Sequence, residues 1–171
     1  MNIEINLAKE EDAESIQKLH RASVRTNAGA FYSTEIIEAW AKPNTKEVIE
    51  KIKNAIEDPK ELLAVARLDE KVLGFGSVVP EENELRAVYI DPQYGRLGIG
   101  TKILQFLENI AVEHNVKKLR LSASLNAEDF YTKNGYKVVD HSFHTLRTGM
   151  KMKCVNMEKL LDGAQTSLNK A

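Results

Sequence analysis

The sequence has 171 residues, a formal net charge of −1 and a pI near 6.4. This length is ample for one folded core, and the balanced charge gives no basic face of the kind that binds nucleic acid. Residues 1–7 are not a charged leader followed by an apolar run, and no apolar segment approaches the roughly 20 residues that span a bilayer. With the single cysteine, Cys154, these features predict a cytoplasmic protein without a membrane or nucleic-acid partner.

Hydrophobic periodicity predicts alternating strands and helices along the chain. The predicted elements are a strand over 3–7, helices over 10–25, 34–40 and 45–56, strands over 62–66, 72–79 and 84–90, a helix from 99, a strand that ends before 126, a helix that ends at 135, and strands over 136–139 and 151–157. Residues 141–149 are predicted to be a polar connection. Residues 1–161 form the predicted domain, and 162–171 form a polar C-terminal tail. This order predicts a mixed α/β (α+β) domain around one central sheet.

The most informative stretch joins the strand over 84–90 to the helix from 99. It contains Pro92 and then three glycines, Gly95, Gly98 and Gly100. Glycines allow a ligand to approach the backbone closely, and the amides of a helix's first turn attract an anion, so this arrangement favours phosphate binding. A Walker loop is excluded because Lys102 comes one position too late, and a dinucleotide-binding loop is excluded because the third glycine of its pattern is missing.

A second stretch, residues 121–136, contains Asn126-Ala127, Phe130-Tyr131 and Gly135-Tyr136 in that order. Together the two stretches resemble the acetyl-CoA-binding segments of the GNAT superfamily of N-acetyltransferases. In that family the loop has the form Gln/Arg-x-x-Gly-x-Gly/Ala, and Gly98 and Gly100 fall on its two glycine positions. Gly95 occupies the usual Gln or Arg position, which is a departure from the pattern.

The resemblance implies a small GNAT-like acyl-CoA N-acyltransferase fold, with a central mixed, mostly antiparallel sheet flanked by helices. It implies acetyl-CoA as the cosubstrate and no metal. It also implies CoA contacts from the strand, the glycine loop and the second stretch. These contacts come from Val88, Tyr89, Ile90, Gly95, Arg96, Leu97, Gly98, Ile99, Gly100, Thr101, Asn126, Tyr131 and Lys133.

Acetyl transfer to an amine requires a base for the amine proton and an acid for the departing thiolate. The resemblance assigns the acid to Tyr131, although its ring also fits simple packing. Glu84 is the candidate base, with an ordered water as the alternative. Backbone amides around Val88 to Ile90 are candidate oxyanion donors, and the same residues fit a core strand. Asn126 is either a helix cap or a pantetheine ligand, and Lys133 either meets a CoA phosphate or is solvated.

The expected activity is therefore transfer of acetyl from acetyl-CoA to a primary amine of a small molecule, directly in a ternary complex. The alternatives are transfer to a protein N-terminus or lysine, and a non-catalytic CoA-binding sensor. Residues 26–60 and 141–150 are expected to shape the acceptor pocket, but the sequence names no acceptor and no acyl length. A homodimer is compatible with the family, whose members often pair through their sheets or helices.

Overall fold

A computed structural model describes residues 2–162, so the predicted tail from 163 onward lies outside the described residues. Within the described range, strands and helices alternate much as the periodicity predicts. They are β1 (Glu4–Leu7), α1 (Ala13–Asn27), α2 (Thr34–Trp40), α3 (Lys46–Glu57), β2 (Leu62–Leu68), β3 (Lys71–Val79), β4 (Glu84–Ile90), α4 (Ile99–Glu113), β5 (Lys118–Ser124), α5 (Glu128–Lys133), β6 (Lys137–Thr145) and β7 (Lys151–Leu160).

The strands of residues 2–162 form one seven-stranded sheet in the order β1-β2-β3-β4-β5-β7-β6. Every neighbouring pair is antiparallel except β4 and β5, which run parallel. The prediction of a central mixed, mostly antiparallel sheet with flanking helices is therefore confirmed. Over the same residues, no helix is long and apolar enough to cross a membrane.

The apolar run in β2 has no polar alternation because both faces of this strand are covered. Leu63 and Val65 pack into the cluster that contains Ile16 of α1. Ala64 and Ala66 point the other way, into the cluster that contains Ile103 of α4. The sheet is thus the middle layer between α1 and α3 on one face and α4 on the other.

The connection predicted over 141–149 is wrong in its bounds. β6 continues to Thr145, and its residues pair along β7 up to Thr145 opposite Lys151. His141 and His144 are therefore strand residues, opposite Val155 and Met152. β6 lies at the edge of the sheet, and its side chains are mostly exposed. An exposed edge strand does not need apolar side chains, so its sequence lacks the pattern from which a strand is predicted.

A buried charge anchors α4 to the sheet. The Glu108 carboxylate is almost fully enclosed, and it accepts hydrogen bonds from the Tyr136 hydroxyl at 3.0 Å and from the Lys159 ammonium at 2.9 and 3.0 Å. We expect Lys159→Met to lower the free energy of unfolding by about 3 kcal/mol, because it leaves this carboxylate buried without a cation. Denaturant titration measures the loss.

The matched control is Lys118→Met, which removes the Lys118–Glu158 pair of the same sheet. Both of its side chains are substantially exposed, at 51% and 40%, and an exposed pair contributes about 0–1 kcal/mol. Equal losses for the two variants would show that burial of Glu108 is not what makes its cation important.

Candidate active site

The parallel strands β4 and β5 pair only where they begin. Glu84 lies opposite Arg120, and the ladder contains no further pair between them. On the other side of β4, Leu85 pairs with Val78 and Ala87 with Ser77, so Arg86 is the extra residue of a β-bulge. Bulges bend a strand and increase its twist. We attribute the divergence of β4 from β5 to this bend.

The divergence opens a cavity of about 440 Å³, which we call the β4–β5 cleft. Four predicted site residues line it together: Glu84, Val88, Tyr89 and Tyr131. Because β4 pairs with no strand of residues 2–162 on this side beyond Glu84, its backbone groups that face the cleft can pair with a ligand. Ile90, Asn126, Lys133 and the glycine loop are not among the residues that line the cleft itself.

The glycine loop follows the end of β4 and leads into α4. Gly98 is the N-cap residue and has a left-handed backbone with φ of 74°, which few other residues adopt without strain. Among the described residues, the amides of Gly98, Ile99, Gly100 and Thr101 donate no backbone hydrogen bond, and the first such bond comes from Lys102 to the Gly98 carbonyl at 3.1 Å. We call these four amides the amide cradle, and their position at a helix N-terminus is suited to an anion.

Gly100 also has a steric role. A Cβ atom at this position would lie 3.1 Å from the Phe130 ring and 3.7 Å from Ile90. The missing side chain therefore lets α4 begin close to α5 and to the end of β4. This contact brings the start of α4 against Phe130 of the second sequence stretch.

Tyr131 lies on α5 and is buried, with 6% of its surface exposed. Its ring packs edge-on against Phe130 and Tyr136, with centroids 5.0 and 5.6 Å away. Burial, and then the nearby Tyr89, raise the pKa of Tyr131 above its usual value, so the phenol stays protonated at neutral pH. The residue thus presents a protonated donor at the wall of the cleft.

Asn126 does not cap α5, because Ala127 is the N-cap residue and no side chain caps the helix there. The Asn126 side-chain oxygen is buried, and no described residue hydrogen-bonds to it. An unpaired buried carbonyl is costly unless a ligand supplies a donor. Asn126 is not itself a lining residue, but it lies between Ser124 and Ala127, which both line the cleft, so its unpaired oxygen lies next to the cleft wall and would fit an N–H donor.

Glu84 lies at the closed end of the cleft, where β4 and β5 still pair. Its carboxylate is 3.5 Å from the Arg86 guanidinium, which also contacts Glu61 at 3.2 Å and Glu82 at 3.1 Å. Glu84 therefore faces the cleft while it shares a cation with two other carboxylates. Lys133 is exposed at the C-terminal end of α5.

A second cavity of about 460 Å³, which we call the α1 cavity, lies against α1, α3 and β4. It shares five lining residues with the β4–β5 cleft, which are Trp40, Arg86, Ala87, Tyr89 and His144. The two cavities therefore adjoin at the middle of β4. Sequence reasoning missed Arg86 and Ala87, because the bulge that places them at this junction depends on pairing with β3.

His20 is buried in the wall of the α1 cavity, and its ring meets Tyr89 at a centroid distance of 4.7 Å. Burial, and then the charge of Lys42, lower the pKa of His20 from 6.5 to about 3. The folded state keeps His20 neutral, whereas an unfolded chain protonates it below pH 6.5. Stability from this residue is therefore full above pH 6.5 and is lost as the pH falls toward 3.

This linkage gives a measurable pH dependence. Between pH 7 and pH 5 we expect the unmodified protein to lose about 2 kcal/mol of unfolding free energy that His20→Gln does not lose, because glutamine has no proton to gain. Urea titrations of both proteins at the two pH values measure the difference. Equal losses would show that His20 takes up a proton in the folded state.

Cys154 also lines the β4–β5 cleft. Burial, and then the nearby Asp140, raise the pKa of the Cys154 thiol. The side chain therefore stays a thiol at neutral pH, and the reactive species of a cysteine nucleophile is the thiolate.

Residues 28–161 match the acetyltransferase (GNAT) domain family. Spermidine N(1)-acetyltransferase of Thermoplasma acidophilum is 30% identical over 82% of this chain and 91% of its own length. The crystal structure of PaiA N-acetyltransferase from the same organism, in complex with coenzyme A, is 28% identical with a TM-score of 0.76, over 94% of this chain and 99% of that one. A GCN5-related N-acetyltransferase from Rhodopseudomonas palustris is 25% identical with a TM-score of 0.85, over 94% and 97%. This chain therefore belongs to the GNAT family and is an acetyltransferase.

Proposed function

We propose that this protein moves the acetyl group of acetyl-CoA to a primary amine of a small molecule, by direct transfer in a ternary complex. The observation that carries the proposal is the junction of the β4–β5 cleft and the α1 cavity at the middle of β4. A donor in the cleft and an acceptor in the α1 cavity would meet there. Cys154, held as a thiol, does not favour an acyl-enzyme route.

Acetyl-CoA supplies the activated acetyl group, and the residues of this chain fit its other parts. The four free amides from Gly98 to Thr101 suit its pyrophosphate, with Gly95, Arg96 and Leu97 leading into the cradle. The stretch from Val88 to Ile90 pairs with β3 and has no ladder with β5, so its backbone on the β5 side, together with the unpaired oxygen of Asn126, suits the amides of the CoA arm. The structure of the PaiA relative in complex with coenzyme A supports CoA as the cosubstrate. Exposed Lys133 is available for a further phosphate.

Residues at the walls of the two cavities are placed to donate a proton to the departing sulfur and to accept one from the amine. Tyr131 donates a proton or a hydrogen bond to the departing sulfur, and burial keeps its phenol protonated for that task. Glu84, directly or through water, takes the proton of the amine. His144 is a second candidate proton acceptor, because it lines both cavities and a neutral imidazole has one nitrogen that accepts.

A primary amine as acceptor is supported by the Thermoplasma acidophilum relative, whose name gives spermidine as its substrate. The test begins with calorimetric titration of the purified protein with acetyl-CoA and with CoA. A thiol-release screen then uses polyamines, amino acids, and peptides with free N-termini or lysines. Binding with thiol release on a small amine supports the proposal, and release on peptides alone moves the acceptor to proteins. Binding without release on any amine contradicts catalysis and favours a sensor.

A further inference from the structure

The charges around the α1 cavity indicate which class of amine it would accept. This inference rests on the proposed function, in which the cavity holds the acceptor. Four cationic side chains line this cavity, and one carboxylate, Glu61, accompanies them. The cations are Lys42, Lys51, Arg86 and Arg147. A cavity built to hold a polyamine would need the opposite balance, because each ammonium group requires a carboxylate or another acceptor.

Two of these cations have carboxylate partners. Arg86 contacts Glu61 at 3.2 Å, so these charges largely offset each other within the cavity wall. Lys51 contacts Glu47 at 2.9 Å in an exposed pair. Within residues 2–162, neither Lys42 nor Arg147 has a carboxylate within 4.0 Å. Glu61 acts on Lys42 and Arg147 acts on Glu47 from beyond contact distance, so these two cations are the ones whose own charge is not held in a direct pair.

Three separate segments place these cations around one cavity. Lys42 follows α2, Lys51 lies on α3, and Arg147 lies in the turn between β6 and β7. Lys42, Lys51 and Arg147 are exposed residues, but desolvation around the Lys42 ammonium lowers its pKa, Glu61 opposes this effect, and the positive charges of Arg147 and Lys51 lower it further. Like charges collected in this way repel one another, and a bound anion would relieve the repulsion.

A different part of the same wall is suited to an amine. Gln17 and His20 lie three residues apart on α1, and both are more than nine-tenths buried. The Gln17 amide group donates to the Lys42 carbonyl at 2.9 Å, which leaves its side-chain oxygen without a donor among the described residues. His20 Nδ1 also has no partner in that range. An N–H group of a ligand would satisfy the buried oxygen, and neutral His20 does not repel it.

We propose that the acceptor is a small primary amine that also carries an anionic group, a carboxylate or a phosphate. The amine lies against Gln17 and His20, beside Tyr89 and the junction with the β4–β5 cleft. The anionic group pairs with Lys42 and Arg147. This acceptor class differs from the spermidine named for the Thermoplasma acidophilum relative, because a second ammonium group would face these two cations.

The test compares amines with similar chains and different far ends. The probes are 4-aminobutanoate, 3-aminopropyl phosphate, butylamine and 1,4-diaminobutane, each titrated calorimetrically into the protein saturated with CoA. We expect at least one anionic probe to bind about tenfold tighter than butylamine, the effect of one charge-assisted hydrogen bond, and the diamine to bind weakest. The carboxylate and phosphate probes show which anion the cavity prefers.

Charge reversal locates the anion. In Lys42→Glu and Arg147→Glu we expect the preference for the anionic probe over the diamine to fall by about tenfold or to reverse. Lys46→Glu is the matched control, because Lys46 is an exposed lysine on α3 that does not line the cavity, and it should keep the original order. Melting temperatures and acetyl-CoA affinity of the three variants report whether each is folded.

The inference is overturned if the diamine binds as tightly as the anionic probes, if no anionic probe binds measurably, or if both reversals leave the order unchanged. Thiol release from acetyl-CoA is measured separately with the same four amines. An anion preference in binding without thiol release would count against the proposed transfer while it supports this account of the cavity. Thiol release with a preference for the diamine would support the proposed transfer and contradict this account of the cavity.

Discussion

Tyr131→Phe should lower the turnover number for acetyl transfer by about 100-fold, the usual range for a lost general acid. The affinity for acetyl-CoA should change by less than about threefold, because phenylalanine keeps the ring that packs against Phe130 and Tyr136. Only the hydroxyl at the cleft wall is removed. Steady-state kinetics of thiol release, together with calorimetric titration of acetyl-CoA, separate the two quantities.

Tyr136→Phe is the matched control. Its hydroxyl donates to buried Glu108 at 3.0 Å and is not part of the cleft wall. This variant should lose about 1 kcal/mol of stability and keep its turnover number. A similar loss of turnover in both variants would mean that this part of the fold is simply sensitive to lost tyrosine hydroxyl groups, and Tyr131 would have no chemical role.

The pH profile adds a second criterion. Because burial raises the pKa of Tyr131 above its usual value of 10, its phenol stays protonated through pH 9. The ratio of unmodified to Tyr131→Phe turnover should therefore stay constant between about pH 6.5 and pH 9. A ratio that falls toward 1 as the pH rises would show that the hydroxyl loses its proton in this range, and that burial does not protect it.

Local features of the site were predictable from the sequence, because neighbouring residues determine them. The bounds of α2, Thr34–Trp40, coincide with the predicted range, since the Ser33 side chain caps the helix by accepting from the Ile36 amide. The amide cradle, whose binding of an anion stays a prediction, depends on Gly98 and on the three consecutive amides after it. Both features are contained within a few residues of chain.

The junction of the two cavities was not predictable, because it depends on pairing between distant segments. The bulge at Arg86 is visible only in the register of β4 against β3. The α1 cavity combines α1 with the connection after α2 and the turn before β7, so Gln17, Lys42 and Arg147 are brought together only in the folded chain. The extent of β6 was missed for a related reason, since an exposed edge strand needs no apolar pattern.

Gly98→Glu should weaken acetyl-CoA binding by at least about 100-fold. The carboxylate would lie at the N-cap of α4, beside the four free amides that are proposed to hold the pyrophosphate. Two effects act against binding: repulsion between like charges, and competition of the new carboxylate for the same amides. Calorimetric titration with acetyl-CoA measures the loss, and repetition at higher salt should reduce the part that comes from repulsion.

Gly98→Gln is the control that separates the effect of the added charge on acetyl-CoA binding from the effect of backbone strain. Both side chains must adopt the same left-handed conformation, at φ of 74°, and an added Cβ meets no atom of the described residues within 4 Å. The two variants should therefore have closely similar melting temperatures. Glutamine carries no charge, so we expect its loss of affinity to be at least about tenfold smaller than that of glutamate, the difference that 1.4 kcal/mol makes.

The outcomes of this pair discriminate between accounts of the loop. If both variants lose affinity equally, the left-handed backbone matters and the charge of the ligand does not. If neither variant loses affinity, the loop does not hold the cosubstrate, and the β4–β5 cleft would have to bind it without the helix N-terminus. A large loss of affinity in Gly98→Glu with a small loss in Gly98→Gln is the result expected if the amides from Gly98 to Thr101 hold a phosphate. The reason is that only the added negative charge distinguishes the two variants.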